Sequence, residues 1–386
     1  MLDRRWFDYY SPSKVIFETS SNKIAEEIKK FGNRFLILNL RKENQNPLGL
    51  KNIRESINTR TGGCIVHDEI IGFPDTEQID SATFFAKRSH VDCIIAYGGI
   101  ETMNAAKAVS VLATNSFFAA DLFSSHPPTI LEPLPVITIP TEPCLGEEIT
   151  AYFSIIDAQT SARKIFTSEV LYPKICFIDP GLCNYLKPDD AARISGALLA
   201  SAIECVIGPE SNVMTDTLLF KVIEILTREM QGYYKDPGHE RTVRMMYWVS
   251  IMIGTCLMDR PNGLNWSIAQ VLGFRTKINF HQALSLVIPY VMEYYLTASA
   301  NRFVQIARIM QENTEGVSVA EAAIQAIEAI RKLFSTVNLP TSLSEFYINR
   351  DHISEIALDV SRFSSLVSTS KRLGAQEIET ILSTAL

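Results

Sequence analysis

Apolar positions along the first 180 residues come in two patterns, short solid runs and stretches at helical spacing. The runs VIF in SPSKVIFE, Arg34–Leu40 (RFLILNL), Cys64–His67, Asp92–Tyr97, Pro135–Pro140 (PVITIP) and Lys174–Asp179 (KICFID) read as buried strands. Between them Ser21–Phe31, with Ile24, Ile28 and Phe31 inward, Leu48–Thr59, Asp80–Arg88 and Glu101–Ala113 read as helices. In the last of these Met103, Ala106, Val109 and Leu112 recur at helical spacing, which predicts an amphipathic helix. Strands and helices alternating at short spacing predict a mostly parallel, doubly wound sheet. Ala151–Ile156 and Lys164–Phe166 read as two further strands, paired as a hairpin.

From Pro188 onward the pattern turns helical, over 189–207, 211–232, 239–258, 263–272, 281–298, 300–313, 317–336, 342–347, 350–361 and 375–384. Ala320, Ala323, Ile324, Ile327, Ile330 and Phe334 hold one helical stripe, stopped by Asn338 and Pro340. The shift near Leu182–Pro188 predicts an α/β domain over 1–182 and an all-helical domain over 183–386, with a cleft between them. No internal repeat is evident.

The stretch DCIIAYGGIETMNAAKAVSVLA (Asp92–Ala113) is strand, glycine turn and helix in that order. Such an arrangement aims backbone N–H groups and the positive end of a helix dipole at one point, the geometry of a phosphate cradle. Two glycines between a strand and a helix also occur in α/β proteins that bind nothing there.

Bulk properties narrow the class. A chain of 386 residues with 47% apolar and 20% charged residues is an ordinary globular protein, long enough for two domains. Scattered Lys and Arg and a net charge of −7 argue against nucleic-acid binding. MLDRRWFDYYSPSK has no apolar core for a signal peptide, and no run approaches the roughly 20 apolar residues of a membrane span. Cysteines 64, 93, 144, 176, 183, 205 and 256 stand singly without a CxxC, so reduced buried thiols and a cytoplasmic location are expected.

Taken together, SPSKVIF, AYGGIETMNAAKA, VITIPTEPCLGEEIT, CFIDPGLCNYLKPDDAA, GLNWSIAQVLGFRTKINFHQALSLVIPYVMEYY and the tail IETILSTAL resemble the iron-containing (group III) alcohol dehydrogenases. That superfamily also holds glycerol dehydrogenase and dehydroquinate synthase. The resemblance covers nearly the whole chain. It implies a Rossmann-like α/β N-terminal domain and an all-α C-terminal domain, with hydride transfer between a nicotinamide nucleotide and a small alcohol or carbonyl compound.

In the family an aspartate and a histidine four residues on, with two later histidines, hold a divalent metal. Through the shared Ala-Ile-Glu at 202–204, those positions fall here on Ala197, Ser201, Trp266 and Phe280, with His281 one residue off. The histidine that lines the substrate site falls on Gln270. A lone imidazole beside an indole, a phenyl, a methyl and a hydroxyl makes no useful Fe²⁺ or Zn²⁺ site, so no metal is expected. The reacting oxygen and its proton then need side chains. His281 is the candidate acid/base, with an ordinary pKa of about 6.5, although a histidine at a helix start is more often structural. Gln270, Ser201 and Glu204 stand nearby.

The nucleotide half is altered as well. Gly98 and Gly99 remain, but Ile100 replaces the third glycine, Glu101 the serine and Asn104 the helix aspartate, while Lys107 is kept. In the second motif Thr141 is kept, whereas Glu142 and Leu145 replace threonines. Lys164 matches the lysine that approaches the cofactor ribose, and Leu182 closes the DPxL turn. Glutamates at 101 and 142 would repel a pyrophosphate unless turned to solvent or to a basic side chain. Leu40 stands where NAD-type members carry an aspartate, and Arg41-Lys42 follow, so NADP is as well supported as NAD.

The expected cofactor contacts are thus Gly98, Gly99, Ile100, Asn104, Thr141, Lys164 and Leu182. Two functions stay open. One is a metal-independent NAD(P)-dependent oxidoreductase acting on a small alcohol, aldehyde or modified-peptide carbonyl. The other is a non-catalytic homologue serving as a binding or structural subunit, with Trp266 and Phe280 packed into the former metal cavity. A third alternative, that the alignment around 197–201 is offset, finds no acid nearby with a histidine four residues away. By resemblance alone, a homodimer through the edge of the first domain is expected.

Overall fold

The computed structural model describes residues 9–386 except 18–19, 41–46, 161, 184, 209–211, 258–262, 277 and 363–372. The described chain divides into two compact units, residues 9–186 and residues 187–257 with 263–386. Among the described residues no helix is long and apolar enough to cross a membrane.

In the first unit the elements are β1 (Lys14–Phe17), α1 (Ser21–Ile28), β2 (Arg34–Leu38), α2 (Pro47–Asn58), β3 (Gly63–His67), α3 (Thr76–Arg88), β4 (Cys93–Gly98) and α4 (Ile100–Thr114). They are followed by β5 (Val136–Pro140), β6 (Tyr152–Ile156), β7 (Arg163–Thr167) and β8 (Ile175–Ile178). Six strands form one sheet in the order β1-β8-β5-β4-β2-β3. Every neighbouring pair is parallel. Parallel sheets need both faces covered, which is why these strands read as solid apolar runs rather than alternating ones. Ile37, Ile95, Ile137 and Ile175 lie in register across four strands. Their face of the sheet packs against Ile24 and Ile28 of α1 and Ile53 and Ile57 of α2. The expected hairpin is present as a separate two-stranded antiparallel sheet, β6 with β7.

Three sequence expectations need correcting. The helix from Ser21 gives way to a 3-10 turn at Lys29–Phe31 and stops at Gly32, whose φ is +140°. There the Asp92 carboxylate accepts the N–H groups of Asn33 and Arg34 at 2.8 and 2.9 Å, tying the start of β4 to β2. Helix α3 begins at Thr76, not Asp80, because Asp75 and Gln78 form a reciprocal capping box. Helix α4 is not amphipathic: every residue from Thr102 to Leu112 is buried. Its outer side is covered by α3 and β6, which sequence spacing did not reveal.

In the second unit α5 (Pro188–Ile207) packs against α6 (Val213–Lys235), α7 (Glu240–Leu257), α8 (Leu264–Arg275) and α9 (Phe280–Tyr294). Helices α10 (Ala300–Ile309), α11 (Val319–Ser335), α12 (Arg350–Ser361) and α13 (Ala375–Thr384) complete the unit. A Cβ on Gly196 would lie 2.5 Å from Leu339 and 3.0 Å from the Ser285 Cβ, so α5 and α9 approach closely only because this position is glycine. The expected helix over 342–347 is instead a 3-10 turn at Leu343–Phe346. The Leu343 N–H donates to the carbonyl of Ala385 at 2.7 Å, which fastens the C-terminal segment.

Candidate functional site

In the first unit, chain direction reverses where β2 leads outward to β3 while β4 leads the other way to β5. The crevice at the carboxyl ends of such strands is where parallel α/β sheets hold ligands. Gly98 closes β4 there with φ +155°. A Cβ at this position would meet Thr102 Oγ1 at 2.3 Å, so no other residue fits without rearrangement. The Thr141 N–H donates to the Gly98 carbonyl at 3.1 Å and holds the turn closed. Gly99 caps α4 without a side-chain hydrogen bond. Beneath the turn, the Thr102 hydroxyl is fully buried and has no hydrogen-bond partner. Ile100 is 2% exposed, so its side chain belongs to the core and only its backbone can face a ligand.

Asn104 works as a three-way clamp. Its Nδ2 donates to the Ile100 carbonyl at 2.8 Å and to Glu147 Oε2 at 2.5 Å, and its Oδ1 accepts the Ser154 N–H at 2.5 Å. One amide thereby joins the first turn of α4, the 144–150 loop and β6. Lys107, fully buried one turn on, donates to the carbonyls of Glu147 and Tyr152 at 2.7 and 2.8 Å. Burial draws the Lys107 ammonium down from its ordinary pKa and pushes the Glu147 carboxyl up, while their mutual attraction opposes both shifts. Arg163 is half-buried, donates to Ser154 Oγ at 2.9 Å, and lies 3.3 Å from the Phe73 ring centre. Both Glu147 and Glu101 support its positive charge.

The remaining expected contacts are placed as follows. Leu182, Leu48, Gly49, Asn52, Asp179 and Tyr185 line a cavity of about 230 Å³. Lys164 donates to the Leu122 carbonyl at 2.9 Å. Leu40 is buried, and Arg41 and Lys42 lie outside the described residues. Leu145 is buried at φ +56°, a left-handed conformation that a leucine adopts only under constraint.

In the second unit, Glu204 of α5 supplies the cap that Gly263 cannot. Its carboxylate accepts the Asn265 N–H, and the Trp266 N–H at 3.1 Å, at the start of α8. Burial raises the Glu204 pKa to about 8. Trp266 meets Phe280 edge-on, with ring centres 5.9 Å apart. His281, 7% exposed, sits in the first turn of α9; its N–H donates to Asn279 Oδ1 at 2.9 Å, and its ring lies 5.9 Å from Phe280. Ala197 and Ser201 are fully buried on α5. The Ser201 hydroxyl has no partner, nor does either end of the Gln270 amide, in a side chain 1% exposed. Asn265 donates to the Leu284 carbonyl at 3.1 Å, and its Oδ1 is likewise unpartnered. Among the described residues no group of three or more His, Cys, Asp or Glu is placed to hold a metal ion.

Sequence reasoning missed Glu147, Arg163 and Asn265. The adjacent acids Glu147-Glu148, inside an otherwise apolar and glycine-bearing loop, were the available signal for the first.

Comparison with known proteins agrees with this architecture. Residues 12–180 match the iron-containing alcohol dehydrogenase family model, and residues 197–386 match the model of that family's C-terminal domain. The chain is 26% identical to the 1,3-propanediol dehydrogenase of Citrobacter freundii over 94% of its own length and 96% of the relative's. It is 24% identical to the NAD-dependent methanol dehydrogenase of Bacillus methanolicus, over 81% and 82% of the two chains. The solved alcohol dehydrogenase from Oenococcus oeni superposes with a TM-score of 0.92 at 21% identity, covering 99% of this chain and 100% of that one. With both halves matched in order, the chain belongs to the iron-containing alcohol dehydrogenase family.

Proposed function

We propose that this protein is an NAD(P)-dependent oxidoreductase that moves hydride between the nicotinamide and a small alcohol, aldehyde or related carbonyl compound without a bound metal. The observation that carries the reading is the donor set in the helical unit. Where the family's four metal ligands fall, this chain offers a methyl (Ala197), a hydroxyl (Ser201), an indole (Trp266) and a phenyl (Phe280). No carboxylate is among them, and the rings of Trp266 and Phe280 pack on each other. Such a set does not fit Fe²⁺ or Zn²⁺, which take imidazole, carboxylate or thiolate ligands.

The nucleotide half does fit its cofactor. Gly98 and Thr141 fix the turn at the N-terminus of α4, where a pyrophosphate would meet backbone N–H groups. The methanol dehydrogenase relative is named as NAD-dependent, which supports the same class. Bound nicotinamide would supply the hydride. The chain's own residues must then hold the substrate oxygen and deliver one proton to it for each hydride its carbon receives. In this reading Ser201 and Gln270 hold it and His281 manages the proton.

Titration with NADH and with NADPH tests the reading. Saturable quenching of nucleotide fluorescence and a raised Tm are expected, both unchanged by EDTA or by added Fe²⁺ or Zn²⁺. No response to either nucleotide at millimolar concentration would favour the non-catalytic homologue, which the packed Trp266–Phe280 pair supports.

A further inference from the structure

Three buried side chains of the helical unit carry polar atoms that nothing in the fold uses. They are Ser201 on α5 (0% exposed), Gln270 on α8 (1%) and Asn265 at the start of α8 (0%). Among the described residues four of their atoms are without partners: Ser201 Oγ, both Oε1 and Nε2 of Gln270, and Asn265 Oδ1. Buried neutral polar atoms are nearly always paired, and each orphan is a liability to the folded state.

Ser201 and Gln270 are linked through the backbone, whereas Asn265, five residues before Gln270 on α8, turns to the Leu284 carbonyl of α9. Glu204 binds the N–H groups of Asn265 and Trp266. Ser201 lies one turn before Glu204 on the same face of α5, and Gln270 one turn after Trp266 on the same face of α8.

We infer that Gln270, with Ser201, binds an uncharged group that presents a hydrogen-bond donor and an acceptor side by side, as a carboxamide or a hydroxycarbonyl compound does. An amide with both ends unpartnered offers a donor and an acceptor in one plane, and such a group pairs with both at once. The serine hydroxyl adds one adaptable contact. Trp266 and Phe280 supply an aromatic wall for the apolar remainder of the ligand. None of these four side chains carries a charge, and the ionisable group bonded to the start of α8 is the acid Glu204. A carboxylate or phosphate would lose its hydration there with no cation among these groups in exchange.

The inference rests on the proposed function only in placing this group beside the reacting centre. Binding is therefore scored without nucleotide, so a failed nucleotide titration and a failed ligand test are separate results. The probes are propanamide, which is inert to hydride, and its anionic counterpart propanoate, followed by saturation-transfer NMR and tryptophan fluorescence. Saturable propanamide binding is expected, with propanoate at least tenfold weaker. Gln270→Leu should weaken propanamide at least tenfold while leaving Tm unchanged or higher, because it deletes two orphaned atoms. Ser201→Ala should weaken binding about threefold with Tm held. Equal binding of propanoate, undiminished binding by Gln270→Leu or Ser201→Ala, or no propanamide binding to the parent protein would overturn the assignment. So would a Gln270→Leu protein that melts several degrees lower or fails to fold, since the amide would then be structural.

Discussion

Asn104 and Glu147 meet at a single buried carboxylate, and that pairing can be tested by moving the carboxylate to α4. Asn104 stands where the family's helix carries an aspartate, and Glu147 lies in the VITIPTEPCLGEEIT stretch. The amide of Asn104 donates to Glu147 Oε2 at 2.5 Å. In Asn104→Asp alone, two carboxylates would face each other at that separation, a repulsion of about 7 kcal/mol at an effective dielectric near 20. Sharing a proton would relieve part of it, but the donation to the Ile100 carbonyl is lost as well. A net destabilisation of about 3–5 kcal/mol follows, typical of a broken buried charge network. Glu147→Ser alone removes the anion that faces Lys107 and Arg163 and should cost about 2–4 kcal/mol. Combined, the two substitutions place one carboxylate on α4 beside a hydroxyl donor. The double variant should therefore recover about 2–3 kcal/mol relative to the sum of the single changes. Hydrogen exchange of the α4 amides in the four proteins reads this local free energy directly. If the double variant's loss equals that sum within about 0.5 kcal/mol, Asn104 and Glu147 are not one charge-bearing unit and the reasoning fails.

Further expectations concern the other features. Gly98→Ala forces a Cβ to within 2.3 Å of Thr102 Oγ1, so it should destabilise the first unit by about 2–4 kcal/mol and abolish NADPH-dependent thermal shifts. Gly98→Ala combined with Thr102→Ser, which keeps the hydroxyl, should not restore them. For Glu204, the folded pKa of about 8 lies above the ordinary 4.5, so the folded state holds the extra proton between these values. Its contribution to stability is complete below about pH 4.5 and is lost as pH rises toward 8, at up to about 1.4 kcal/mol per pH unit. Glu204→Gln should flatten that part of the urea-unfolding profile measured from pH 5 to 8. Gly196→Ala should wedge α5 from Leu339 and Ser285 and lower Tm by several degrees, with binding of NADPH by the first unit unchanged.

Much of the fold was legible because parallel strands announce themselves as solid apolar runs and their helices as spaced ones. RFLILNL and DCIIAY became β2 and β4, and the hairpin at 151–166 paired as read. What stayed hidden depended on partners distant in sequence. Helix α4 read as amphipathic because its small residues, Ala105, Ala108 and Ser110, look neutral in a spacing pattern. They are buried by α3 and β6, elements that lie on both sides of it in the chain. Asn104 was visible as a departure from the family's pattern. Its role was not, because the acid it bonds to sits 43 residues later. Arg163 was passed over in favour of Lys164, although Arg163 donates to Ser154 with its charge favoured by Glu147 and Glu101, while Lys164 caps the Leu122 carbonyl.

The two altered centres differ in what they say about function. Around Lys107 the groups answer one another: Glu147 receives the hydrogen bond of Asn104, and the ammonium has its carbonyls. A buried lysine has to be satisfied for the domain to fold at all, so this network would be kept whether or not a nucleotide binds above it. The helical unit is the reverse case. Replacing Ser201 and Gln270 by apolar residues of similar size would relieve the fold of three orphaned atoms. Stability gives no reason for them, and a pseudoenzyme whose old cavity was simply filled by Trp266 and Phe280 would have none either. Polar groups that the fold does not need are best explained by a ligand that does, which makes Ser201 and Gln270 stronger evidence for retained chemistry than the better-ordered cradle in the other unit.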